Sequence, residues 1–381
     1  MVLAEDRPSV RASGRSGRWD RRYVVGGALL LGALLFGAPL GAWALEELRF
    51  FRIGTAATTG TYFQIGGVLA SAISKTPGSR DCDRGGGCGV PGLVAVAQAS
   101  QGSIQNVLAV DSGQIESALA QSDIAYWAYS SGSVVSRHCG TARDGSARAT
   151  AGIALLRGHE PLRKLRAIAG LYAEDVHIVV RAESPIKTLH DLKGKRVALG
   201  EPESGTLADA RLVLDAAGIS ECELKAEYLR LSEAADGLAQ GRIDAFFLVG
   251  GYPVPAITDI AAMVPTRLLP VPHEVGERLR HKYPFFSTDV IPGGSYPGMD
   301  DDTLTLSTVA LWIVRDDVDA GLVYAITKAL WSDTTKRLLE AAHPVGRRIR
   351  LANALDGVAI PLHPGAARFY RAAGMALPDG Q

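Results

Sequence analysis

The 381-residue chain has no surplus of either charge, 40 Lys and Arg standing against 40 Asp and Glu. No basic stripe marks a nucleic-acid partner. Cysteine is scarce, with only Cys82, Cys88, Cys139 and Cys222, and none forms the matched close pairs of a structural zinc site. The chain has no Gly-x-Ser-x-Gly elbow and no His-Glu-x-x-His helix. His138 adjoins Cys139, but neighbours on a strand point to opposite faces, so the two do not form a nucleophile and base there. These absences predict a protein that is not an enzyme and holds neither metal nor cofactor.

Long hydrophobic runs are also missing, with one exception near the start. Arg11, Arg15, Arg18, Arg21 and Arg22 precede an apolar stretch from Val24 to Leu40, and "AWA" follows at Ala42 to Ala44. That pattern predicts a secretory signal peptide over 1–44, with the mature chain beginning at Leu45 in the periplasm. As a membrane anchor the run is short against the roughly 20 residues usually needed, and no basic flank follows it. Arg21-Arg22 leaves both the general secretory and the twin-arginine route open. The remaining residues carry a formal charge of −3 and suffice for two lobes with proper cores. In an oxidising compartment the short span "CDRGGGC" makes a Cys82–Cys88 disulfide possible.

What the mature chain does contain is a polar loop that occurs twice. In "RIGTAATTGTYFQIGGVLASAI", Arg52 to Ile73, a strand passes through Gly and Thr into a helix with Ile65, Val68, Leu69, Ala72 and Ile73 on one stripe. The loop holds no Lys or Arg, and Gly60-Thr61-Tyr62 is not the Gly-Lys-Ser/Thr end of a phosphate loop. Uncapped N–H groups and the helix dipole can nevertheless cradle a carboxylate there. In the second unit "KRVALGE" leads through "PESGT", with Ser204, Gly205 and Thr206, into a helix that Gly218 is placed to end. Both units run strand, loop, helix, strand, helix, strand. Each also contains Leu-Ala-Gln, at 119–121 and 238–240, read here as a helix end turning into a buried strand.

Alternating elements of this kind predict an α/β fold of mostly parallel strands, with ligands outside their carboxyl ends. "VHIVVRAES" at 176–184 and "LSTVALWIVRDD" at 306–317 read as a pair of hinge strands between lobes. The expected layout is lobe I over 45–181 and 305–381, and lobe II over 182–304.

Several segments in order, "IGTAATTGTYFQIGG", "QSDIAYWAY", "LYAEDVHIVVRAESPIKTLHDLKGKRVALGEPESGT", "EAADGLAQGRIDAFF", "YPGMDDD" and "ANALDGVAIPLHPGAARFYR", together resemble the TAXI family. These are solute receptors of tripartite ATP-independent periplasmic (TRAP) transporters. The resemblance implies a two-lobed, type II-like periplasmic-binding-protein fold, delivery to TRAP membrane permease subunits, and a small carboxylate ligand such as glutamate or a dicarboxylate. It further implies ligand contacts from Thr55, Thr58, Thr61, Tyr62, Ser103, Asn106, Gln121 and His177 on one side, and from Ser204, Thr206 and Phe247 on the other.

Plainer roles stand beside these. Tyr62 also suits a helix-entry aromatic, Ser103 and Asn106 suit a helix cap, Gln121 the end of a helix, and His177 a hydrogen-bonded interior position. Two functional alternatives also stand: a receptor of an ATP-driven importer, and an enzyme on the same two-lobed fold, such as a thiamine-pyrimidine synthase-like protein.

Overall fold

The computed structural model describes residues 48–80, 82, 87–130, 134–141, 147–153 and 160–378. The expected signal peptide lies outside them. The first unit comprises β1 (Arg49–Gly54), α1 (Thr61–Ile73), β2 (Leu93–Gln98), α2 (Ser103–Asp111) and β3 (Ser117–Gln121), followed by α3 (Ser122–Ser130). A long strand, β4 (Leu165–Arg181), leads to the second unit. That unit has β5 (Arg196–Ala198), α4 (Gly205–Ala216), β6 (Lys225–Glu227), α5 (Leu231–Ala239) and β7 (Ala245–Gly250), followed by α6 (Pro255–Met263). A second long strand, β8 (Thr303–Arg315), precedes the C-terminal helices.

One ten-stranded sheet runs through both units, its main path ordered β6-β5-β7-β4-β8-β3-β1-β2. Within the first unit β1 pairs in parallel with β2 and β3; within the second β5 pairs in parallel with β6 and β7. Each unit thus has the same strand order, with its first strand in the middle. Antiparallel β4 and β8 lie side by side at the centre and join the units. Both strands are almost continuously buried, which suits their β-branched residues, although Glu174 and Asp175 break the apolar run of β4. Trp312 of β8 is fully buried and its indole N–H donates to Ser117 Oγ at 3.2 Å.

The helix stripe of α1 is buried as its period requires, Val68 lying at its edge, and the C-terminal helices Ala320–Leu330 and Asp333–Ala342 pack against it. Gly218, at φ +72°, closes the end of α4. Cys82 and Cys88 are joined by a disulfide with Cα atoms 4.7 Å apart. His138 and Cys139 fall in the strand Val134–Thr141.

One reading of the repeat is corrected. Leu119-Ala120-Gln121 ends strand β3 and runs straight into α3, whereas Leu238-Ala239 ends helix α5 with Gln240 as its cap. The matching letters belong to different elements; the true equivalence lies a few residues away. Gly113-Gln114-Ile115-Glu116 and Gly241-Arg242-Ile243-Asp244 make the same C-terminal turn. Both glycines have positive φ, 76° and 69°, and the next N–H reaches back to Ala109 O and Gly237 O, each at 2.8 Å. This is the six-to-one bond of a Schellman motif. Each following acid then clamps an arginine of the unit's first strand, Glu116 on Arg52 and Asp244 on Arg196, both with a contact at 2.6 Å. In both cases the carboxylate also accepts from the arginine's own backbone N–H.

Candidate functional site

In a sheet where the first strand lies between the second and third, the chain leaves in opposite directions on either side, and a crevice opens at its carboxyl end. Both polar loops occupy such a crevice. Between them lies a cavity of about 80 Å³. Three helices begin on its wall: α1 at Thr61, α2 at Ser103 and α4 at Gly205. Gly60 and Gly102 precede the first two and offer no side-chain acceptor, so no side-chain cap takes up their first-turn N–H groups, although Gln105 N of α2 is used by Glu203 O. Ser204, by contrast, accepts from Leu207 N at 3.1 Å and starts α4 as an ordinary N-cap.

The two units are in direct contact across this crevice. Thr61 Oγ donates to Gly251 O at 2.7 Å, and Gln105 N donates to Glu203 O at 3.2 Å. Gly205 sits hard against Gln121: a Cβ added there would lie 1.5 Å from Gln121 Oε1. Only glycine permits that approach. Gln121 Nε2 donates to Asp209 Oδ2 of α4 at 2.5 Å, and its backbone N–H donates to Ser103 Oγ at 3.1 Å. Thr206 Oγ receives Val249 N at 3.1 Å and so holds α4 to the end of β7. Phe247, Val249, Leu229 and Leu231 supply an apolar side to the cavity.

Of the expected contacts, the structure brings together Thr61, Tyr62, Ser103, Gln121, Ser204, Thr206 and Phe247. Four residues are not brought to the wall. Thr55 is buried and donates to Gln98 O, bracing the loop against β2. Thr58 is exposed. Asn106 donates to Thr55 O and Leu119 O at 2.6 and 2.7 Å, tying α2 to the loop and to β3. His177 is wholly interior, with Nδ1 against Asp175 O and Nε2 against Tyr296 OH, each at 2.8 Å. Burial lowers its pKa to about 4, so the ring is neutral. Gln121, expected at a helix end, terminates strand β3 instead.

The residue that sequence reasoning missed is Glu174 of β4. It is 1 % exposed and lines the cavity, and Tyr62 OH donates to its Oε2 at 2.6 Å. Burial raises its pKa well above the usual carboxylate range against the lowering effect of that bond, and Asp123 and Asp175 raise it further. Asp123 and Asp209 are buried nearby, and burial likewise raises both. A second lining acid, Glu201, is raised by burial too. No Lys, Arg or His lines the cavity among the described residues. The signal was present in "LYAEDVHIVV", where two acids interrupt an otherwise apolar strand. An acid inside a buried strand is costly and calls for a reason.

Among the described residues no cluster of His, Cys, Asp and Glu is placed to hold a metal ion, and no helix is long and apolar enough to cross a membrane.

Comparison with known proteins gives a family match over nearly all of the described chain: the NMT1-like family, at residues 53–138 and 139–374. Among solved structures, the periplasmic aliphatic sulphonate binding protein of Escherichia coli aligns at 16% identity and a TM-score of 0.41, covering 84% of this chain and 78% of that one. The alkanesulfonate-binding protein of Xanthomonas axonopodis pv. citri, bound to MOPS, aligns at 16% and 0.40, covering 86% and 91%. A ligand-binding component of an ABC-type import system from Staphylococcus aureus, with zinc bound, aligns at 11% and 0.42, covering 87% and 94%. Likenesses this distant do not bear on what this chain binds.

Proposed function

We propose, from the premise that the chain belongs to the NMT1-like family, that it is an exported solute-binding receptor: it captures a small molecule between its two βα units and delivers it to a membrane importer. The observation that carries this reading is the cavity itself, walled by helix starts and strand ends from both topologically equivalent units. Such a site binds without needing a nucleophile or base. β4 and β8 serve as the hinge, and the contacts of Thr61, Gln105 and Gln121 across the crevice hold the closed form. Lobe I then comprises 45–181 and 305–381, and lobe II the residues between.

Two importers suit such a receptor. The TRAP permease has the TAXI resemblance behind it, whereas the family actually matched is NMT1-like, and delivery to an ATP-driven importer is the reading we put first. A small carboxylate remains compatible with the uncapped starts of α1 and α2, which favour an anionic group. Glu174 and Glu201 set the condition that the rest of the ligand must not be anionic as well, which disfavours a simple dicarboxylate.

The test is a thermal-shift screen of the mature protein against amino acids, amines, carboxylates and sulfonates, followed by solution scattering. A solute at 100 times its Kd should stabilise by about 2.7 kcal/mol. It should also compact the molecule, because a ligand shifts closure only by preferring the closed form. Failure of every solute to stabilise, with no change in scattering, would remove the receptor reading. Pull-down of the loaded protein with each class of permease decides between the two importers.

A further inference from the structure

The receptor reading leaves open which chemical group the cavity selects, and its wall is unusual in this respect. It presents acids and no cation among the described residues. Of the two lining acids Glu174 is the more completely removed from water, and its side chain's one hydrogen bond among the described residues, from Tyr62, occupies Oε2. Oε1 therefore has no donor among the described residues, while the side chain lines the cavity. A carboxyl oxygen that faces a cavity with no protein donor is left for water or for a bound solute to complete. The groups around it offer no relief: Tyr62 on α1, Tyr172 and Asp175 on β4, Asp123 at the start of α3 and Asp209 on α4 are all acidic or neutral. On another part of the same wall the uncapped starts of α1 and α2 present N–H groups and positive dipole ends.

Resting on the receptor reading, we infer that Glu174 is the specificity-determining residue and that the ligand is a small zwitterion, its protonated nitrogen donating to Glu174 and its anionic end held by the helix starts. Tyr62 is the positioning residue, fixing the carboxyl group through Oε2 and leaving Oε1 for the solute. The cavity of about 80 Å³ is roughly half of one that holds benzene, so the closed form takes only a small molecule.

Proton traffic gives this inference a sign. Empty, Glu174 is buried among other acids, and burial raises its pKa well above the usual carboxylate range, so it holds its proton to a higher pH than a free carboxylate does. A bound ammonium group favours the carboxylate, so the Glu174 O–H bond breaks on binding and the proton leaves to the buffer. Affinity then rises with pH up to the pKa of the empty form. An anion at the same place would reverse the order: it would need the protonated acid, and binding would take up a proton or none.

Matched pairs supply the experiment: glycine against acetate, β-alanine against propionate, and L-glutamate against glutarate, by calorimetry in two buffers of different ionisation enthalpy. The nitrogen-bearing member of at least one pair should bind at least tenfold more tightly and release a proton, and Glu174→Gln should lose at least tenfold and the proton release together. Tyr62→Phe, which keeps the carboxyl group, should weaken binding while proton release persists. Tighter binding of the nitrogen-free members, or nitrogen-bearing members indifferent to Glu174→Gln, would overturn the inference and leave the receptor intact. So would binding of other solutes with none from these pairs. Binding of no solute at all would remove both.

Discussion

Asp175 sits beside Glu174 on β4, wholly buried, and neither of its carboxyl oxygens has a partner among the described residues. Burial, reinforced by nearby Asp289 and opposed by Arg348, raises its pKa to about 8. The unfolded chain gives up that proton at an ordinary carboxylate pKa near 4. Its stabilising effect is therefore complete below about pH 4 and is lost as pH rises through about 8, since over that window the folded state binds the extra proton. Asp175→Asn should gain on the wild type by about 1.4 kcal/mol for each pH unit between those two values, so its advantage at pH 8 should exceed that at pH 5 by up to about 4 kcal/mol. Urea unfolding at the two pH values measures it; parallel curves for variant and wild type would refute the assignment. Thr61→Val, which removes the bond to Gly251 O, tests a neutral contact across the same crevice and should cost about 1 kcal/mol at either pH.

At the level of elements, the decisive contact is the start of α4 against the end of β3. Gly205→Ala would place a methyl group on Gln121 and force the two units apart, while each unit's own strands and helices stay as they are. Solute affinity should fall about tenfold or more, a loss of about 1.4 kcal/mol, and solute-induced compaction in scattering should disappear with the far-ultraviolet dichroism unchanged. Unchanged affinity would show that the units need not approach this closely. Much of this architecture was legible in the chain, because a buried helix and a buried strand impose different periods on apolar residues. The stripe of α1, the long β-branched runs of β4 and β8 and the two polar loops all follow from that. What escaped had physical reasons. Leu-Ala-Gln suits a strand end and a helix end equally, so its recurrence carried no structural information. Gly-x-Ile-acid did carry it, through a left-handed glycine and an arginine clamp, but the clamp joins residues 64 and 48 positions apart. The choice among Thr55, Thr58, Thr61 and Tyr62 depends on how the loop turns against β2, which short-range pattern does not encode.

For the whole molecule, the central pair decides cohesion. β8 lies between β3 and β4, so removing it separates the first unit from the rest of the sheet. A chain ending at Asp302 should show no cooperative unfolding transition and no solute-dependent shift; a sharp transition in that fragment would contradict this account. Trp312→Ala in the full chain should cost about 3–5 kcal/mol, because it empties a fully buried site and leaves Ser117 Oγ without its donor. Under the export proposed above, amino-terminal sequencing of the mature form should begin at Leu45, and a chain that still carries residues 1–44 would contradict it.

The place of β8 also sets an order in time. Gln121, which the crevice depends on, is held in the sheet by pairing with Ala310. At ordinary rates of synthesis the ribosome needs roughly 10–40 seconds to travel from one to the other. During that interval β3 presents a bare edge and the first unit has no second neighbour to close it. A chain kept open for so long is poorly suited to folding as it emerges and well suited to being threaded, still extended, through a membrane channel before its last long strand arrives.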